Sequence, residues 1–251
     1  MSDVKLERAP GAGVELACLV AGPADGRVVI CAHGFPDCAR SFRAQLPALA
    51  RAGFRAVAPT MRGYFPSDVP ADGRYDAAAR APDALARVVT VAVPHFRAAG
   101  ARFAHPRQLR RGWYIALFQL RGVAERRLRA NGFRLVDELW RAWSPGFTPP
   151  REELDAIKAA IAPRIAAVLG YYRAIPSGAF GDARRLLFTR TRVPALYVHG
   201  RDDGCVGVEL VRGVERAYTA GVRVHVIDGA GHFVHQERPS EFNRLLLDFL
   251  A

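Results

Sequence analysis

The chain has 251 residues, half of them hydrophobic, and carries 36 Lys and Arg against 24 Asp and Glu for a formal charge of +12. That length fits one large domain or a core with an inserted lid, and no apolar run approaches the ~20 residues that span a bilayer. The positive charge is nearly all arginine, with only Lys5 and Lys158 besides, and no recognition helix or aromatic-interleaved basic strand accompanies it, so neither nucleic acid nor membrane is an expected partner.

In chain order, VKLERA and VELACLVAG read as an opening hairpin. RVVICAHG is a short, continuously apolar run of the kind buried in a parallel sheet. SFRAQLPALARAG has helical periodicity ending at Gly53, and FRAVAP is the next strand. After TVAVPH the alternation of strand and helix stops. LVDELWRAW places Val136, Leu139, Trp140 and Trp143 on one helical face. Thr148–Pro149–Pro150 and then Pro163 interrupt the two helical segments that follow. The alternation resumes with VPALYVHG, a helix around VELVRGVERAYTAG, and VRVHVIDG. A closing helix opens at Pro239 and presents Phe242, Leu245, Leu246, Phe249 and Leu250 on one face. This predicts an α/β fold, a mostly parallel doubly wound sheet with a helical cap, divided as 1–96 (first half of the core), 97–180 (cap) and 181–251 (second half of the core).

Cys18, Cys31, Cys38 and Cys205 show no metal-ligand spacing; Cys18 and Cys31 lie in apolar, strand-like runs and read as small core residues of a reducing compartment, and neither a metal nor a cofactor is expected. MSDVKLERAPGAG has no basic-then-apolar leader pattern, which predicts a cytoplasmic protein.

Three stretches carry candidate chemistry. In CAHGFPD, a strand runs into His33, Gly34, Phe35 and Pro36, placing backbone N–H groups at the carboxyl edge of the sheet, where open α/β folds bind ligands. In YVHGRDDGC, Asp203 lies three residues past a strand ending at Gly200. In VIDGAGHF, His232 follows the next strand and a glycine-rich turn. An acid and then a histidine at successive strand ends is the order that α/β-hydrolases use.

The chain resembles the α/β-hydrolase superfamily, and within it the epoxide-hydrolase branch. HGFPD matches that branch's HGxP segment, and MRGYFPSD its RGYGxSD loop, with Phe65 where glycine is usual. GWYIALFQLRGVAE and LGYYRA match the lid segments that supply tyrosines, and GRDDG and GAGHF match the acid and the base. The resemblance implies that His232 is the base activating water, that Asp203 orients and charges it, and that Phe35 offers an oxyanion N–H. It makes Tyr114 and Tyr172 the lid acids that hold the epoxide oxygen; Tyr171 points elsewhere on the same helix. The implied partner is a small apolar epoxide or ester-like molecule, and a homodimer is compatible with it.

The family's nucleophile is a carboxylate on a GxDxG turn between RGYFPSD and TVAVPH. A helix, a buried strand, the turn and a second helix need roughly 35–40 residues, yet only DVPADGRYDAAARAPDALAR stands there, with no GxDxG, GxSxG or GxCxG in it. The join reads as an internal deletion that removes a central strand together with the nucleophile. Asp76 and Asp83 are nearby carboxylates that follow no strand. The expected consequence is impaired catalysis. The alternatives are an active hydrolase in which His232–Asp203 activates water directly or Asp76 is recruited, and a non-catalytic small-molecule binding protein.

Overall fold

The computed structural model describes residues 4–11, 13–72, 84–174 and 188–251, so Asp76 and Asp83 lie outside the described residues. The chain divides into two compact units: Met1–Tyr75 with Arg121–Leu139 and Pro149–Tyr171, and Asp76–Leu120 with Trp140–Thr148 and Tyr172–Ala251.

In the first unit, β1 (Lys5–Gly11) and β2 (Val14–Ala21) form the expected antiparallel hairpin, in register from Lys5 opposite Val20 to Gly11 opposite Val14. β2 pairs antiparallel with β4 (Arg55–Pro59), and β4 pairs parallel with β3 (Val28–Ile30), giving the order β1-β2-β4-β3. Between β3 and β4, α1 (Gln45–Arg51) buries Leu46 and Leu49 completely. It stops where Gly53 takes a left-handed φ of 82°, which lets the Phe54 amide return to the Leu49 carbonyl.

The apolar run RVVICAHG departs from expectation. Only Val28–Ile30 is strand; Val28 and Ile30, on the same face of it, are 60% and 68% exposed, and among the described residues β3 pairs with β4 alone. An apolar run records a preference for burial and says nothing of which neighbours are present.

In the second unit, β5 (Val88–Val91), β6 (Ala195–Gly200) and β7 (Val222–Ile227) are parallel, in the order β5-β6-β7. All six residues of β6 are buried. The terminal helix Pro239–Leu250 buries Phe242, Leu245, Leu246, Phe249 and Leu250, the face its spacing predicts. VELVRGVERAYTAG is not one helix. It forms two short 3-10 turns, Val208–Leu210 and Val214–Ala217, separated by Gly213 at φ 78°. The strands thus make two ladders among the described residues, of four and three, where the sequence predicts one sheet.

From residue 97 to 174 every regular element is helical. These are α2 (Phe96–Ala99), α3 (Pro106–Arg111), α4 (Trp113–Gln119), α5 (Val123–Trp143), α6 (Arg151–Ile161) and α7 (Ile165–Ala174), with short 3-10 turns between some of them. α5 carries the chain from the first unit into the second and is broken at Ala130–Phe133, where Asn131, Gly132 and Phe133 have positive φ. Its predicted apolar face, Val136, Leu139, Trp140 and Trp143, is buried throughout. Among the described residues no helix is long and apolar enough to cross a membrane.

Candidate active site

The second unit gathers four of the residues singled out in the sequence. Asp203 leaves the carboxyl end of β6 and is buried, with its Oδ1 accepting the amides of Cys205 (2.7 Å) and Val206 (2.8 Å). Its other oxygen lies 2.9 Å from His232 Nδ1, in the loop that follows β7. A carboxylate only accepts, so Nδ1 carries the proton and Nε2 is left with a lone pair, the arrangement of a general base.

The same carboxylate faces a second imidazole. His199, fully buried on β6, holds Nε2 at 3.0 Å from the Val206 carbonyl and 3.8 Å from Asp203 Oδ2. A carbonyl only accepts, so Nε2 carries the proton and Nδ1 accepts from the Tyr197 hydroxyl at 2.8 Å. Burial pulls the His199 pKa down, which keeps the ring neutral and leaves the Asp203 charge to His232.

The tyrosines meet beside this pair. Tyr114 on α4 and Tyr172 on α7 cross edge to face with ring centroids 5.7 Å apart, and their hydroxyls are hydrogen-bonded to each other. The Tyr114 hydroxyl also lies 3.5 Å from the Cys205 thiol, in the loop that holds Asp203. Trp143 bridges the two groups: its ring centroid is 4.9 Å from that of Tyr114 and 5.2 Å from that of His232. Burial pushes both phenols up, Tyr114 further through its neighbours Tyr172 and Cys205, so each keeps its proton at neutral pH and can donate it to developing alkoxide charge. Tyr171 instead donates to the Arg62 carbonyl at 3.1 Å, in the first unit.

His33, Gly34, Phe35 and Pro36 belong to the first unit. His33 Nε2 accepts the Met61 amide at 3.0 Å, so Nδ1 carries the proton and donates to the Gly34 carbonyl at 2.8 Å. Burial lowers the His33 pKa to about 4, and the neutral ring braces the turn that presents Phe35. Asp37, one residue past Pro36, accepts the Cys38 amide (2.8 Å) and the Ser41 hydroxyl (2.6 Å).

Gly200–Gly204 also spells Gly-x-Asp-x-Gly, with Asp202 as its third residue. Asp202 is exposed, and bends follow Asp203 where a nucleophile elbow would enter a helix, so this is no strand-to-helix elbow.

Sequence reasoning missed the supports. Gln108 donates to the Cys205 carbonyl (2.8 Å) and accepts the Gly207 amide (3.0 Å). The Trp143 carbonyl accepts the amides of both Gly204 (3.1 Å) and His232 (3.0 Å). Ser144 and Glu237 hold the histidine loop. None of these has a sequence signal beyond an ordinary helix end.

The profile of the alpha/beta hydrolase family matches residues 29–245. An AB hydrolase superfamily protein of Bacillus subtilis is 26% identical over 289 residues, taking in 100% of this chain and 99% of its own length. That span exceeds the 251 residues this chain supplies, so the relative carries a surplus. Epoxide hydrolase A of Mycobacterium tuberculosis is 28% identical over 313 residues, covering 95% of each chain. The crystal structure of epoxide hydrolase A from Mycobacterium thermoresistibile superimposes with a TM-score of 0.83 at 25% identity, over 99% of this chain and 98% of that one. With a matching profile over most of its length and relatives of this kind, the chain belongs to the alpha/beta hydrolase family and is epoxide hydrolase-like within it.

Proposed function

We propose that the chain is an epoxide hydrolase-like protein that retains the base and the lid acids but lacks the carboxylate nucleophile. A small apolar epoxide is the ligand that fits these groups. In this reading His232, charged and oriented by Asp203, is the base for water, and Tyr114 and Tyr172 hold the epoxide oxygen. Phe35 supplies an oxyanion N–H. Residues 1–96 and 181–251 are the core and 97–180 the cap. The observation that carries the reading is the convergence of the 2.9 Å Asp203–His232 bond, the crossed tyrosines and Trp143 within one unit.

Two findings support the missing segment. Among the described residues the strands form two ladders with β3 and β5 each at an edge, and the Bacillus relative carries residues that this chain lacks. Without a nucleophile no alkyl-enzyme ester forms, and the two-step route is closed. Loss of one member of a serine triad leaves roughly 10³–10⁴-fold residual catalysis, and loss of one oxyanion donor costs about 10²–10³ more. Hydrolysis of a terminal aryl epoxide is therefore expected at or near background, with no ester adduct by mass spectrometry under single-turnover conditions. Grafting a helix–strand–elbow–helix segment between Ala77 and Ala79 should restore turnover, and an asparagine version of the graft should not. Robust diol formation by the present chain, abolished by His232→Ala, would replace this reading with direct water activation. Stabilisation by an epoxide without turnover would favour a binding protein.

A further inference from the structure

Three consecutive amides around the candidate base point into one set of acceptors. Gly231 N–H donates to Glu237 Oε2 at 2.7 Å, and Phe233 N–H to Glu237 Oε1 at 3.0 Å. Between them, His232 N–H is shared by the Trp143 carbonyl (3.0 Å) and Ser144 Oγ (3.1 Å). The Ser144 hydroxyl closes the set by donating to Glu237 Oε1 at 2.6 Å. Ser144 is fully buried and Glu237 is 9% exposed. A buried carboxylate is costly unless its lone pairs are satisfied, and here backbone donors on both sides of His232 satisfy them. With the peptides before and after it fixed, the Cα–Cβ direction of His232 is fixed as well. Its ring then meets Asp203 without the sheet having to hold it.

We propose that Glu237 and Ser144 are positioning residues for the candidate base: together they hold the backbone of His232 so that Nδ1 stays on Asp203. This rests on reading Asp203–His232 as the acid–base pair. It assigns work to two side chains that bond to backbone amides at and beside His232 rather than to its ring.

The test uses the full-length chain labelled with ¹⁵N and follows the His232 Nδ1–H proton, identified by its loss in His232→Gln. Its exchange with water at fixed pH is the readout. Glu237→Gln keeps the shape but replaces one acceptor by a donor, and Ser144→Ala removes the bridge. Each should speed exchange at least ~10-fold, as a bond that is open more of the time would. Ser144→Thr, which keeps the hydroxyl, should stay near wild type. Leu169→Ala, a cavity in the first unit, should lower stability and leave the proton's exchange unchanged.

Wild-type exchange in both Glu237→Gln and Ser144→Ala overturns the proposal, whatever happens to melting temperature. If Glu237→Gln does not fold, Ser144→Ala against Ser144→Thr decides alone. Asp203→Asn separates the two layers. If it leaves the proton protected, the acid–base pair itself is absent and this assignment falls with it. If it loses the proton while Glu237→Gln and Ser144→Ala keep it, the pair stands and only the positioning role falls.

Discussion

Asp37 and His33 sit four residues apart in one buried turn and pull stability in opposite directions with pH. Burial raises the Asp37 carboxyl from its ordinary 3.8 to about 7, against the hydrogen bonds from Ser41 and Cys38 and the charge of Arg43, which lower it. Between those values the folded chain holds a proton that the unfolded chain has released, so this group's stabilisation is complete below 3.8 and is lost as pH rises through 7. A difference of that size is about 4 kcal/mol. His33 is lowered from 6.5 to about 4, so the unfolded chain takes up a proton first as pH falls. Its stabilisation is complete above 6.5 and is lost down to pH 4, about 3 kcal/mol. In wild type the two slopes offset each other between pH 4 and 6.5. Asp37→Asn removes one of them: the amide oxygen can still accept the Cys38 N–H, and its NH₂ can face the Ser41 hydroxyl. Relative to wild type the variant should gain about 4 kcal/mol between pH 4 and pH 8. Its own stability should climb by about 3 kcal/mol from pH 4 to 6.5, where the wild type stays nearly level. Urea titrations at pH 4, 5, 6, 7 and 8 on both proteins give the difference, in which every group outside the pair cancels. A difference constant within about 1 kcal/mol over that range would refute the reasoning, because it would mean Asp37 ionises as freely folded as unfolded.

All four cysteines are buried, and burial pushes Cys31 and Cys38 up to about 12 and Cys18 and Cys205 upward as well. A brief iodoacetamide pulse at pH 8 should therefore add no label to the native chain and four after denaturation, read by mass spectrometry; native labelling would contradict the burial. Trp140 is 1% exposed and stacks on Phe233 with ring centroids 3.5 Å apart, next to the candidate base. Trp140→Ala should cost about 3–5 kcal/mol in denaturant unfolding, and a loss below about 1 kcal/mol would show that the pair contributes little.

Much of the helical core was legible because its signals are local. Val136, Leu139, Trp140 and Trp143 recur at helical spacing, and so do Phe242, Leu245, Leu246, Phe249 and Leu250; burial follows from that period. Asp203 and His232 could be paired in advance because each follows the end of one of two strands, and those strands lie side by side. What was not legible depends on partners distant in the chain. Nothing in RVVICAHG says that, among the described residues, β3 pairs with β4 alone. Nothing in VELVRGVERAYTAG marks Gly213, among its glycines, as the residue at φ 78° that splits the helix into two turns. Glu237 reads as an ordinary surface residue before a proline-capped helix, yet its donors come from residues 144, 231 and 233.

The Trp143 carbonyl explains how Asp203 and His232 keep their geometry in a unit with three paired strands among its described residues. It accepts from Gly204 in one loop and from His232 in the other, so the distance between the two loops is set by one atom at the end of α5. Both loops approach that helix end through glycine. A Cβ on Gly231 would lie 2.5 Å from the Ser144 Cα, and one on Gly204 would meet the Ala142 carbonyl. Any larger side chain would push its loop off the peg and lengthen the Asp203–His232 bond. The last turn of α5 therefore belongs with the loops of the candidate pair, although by sequence it lies within the cap. Held in this way, the Asp203–His232 pair takes its geometry from two loops and a helix end. On the proposed reading it persists in a chain without a nucleophile, and a grafted elbow would meet the candidate base already in place.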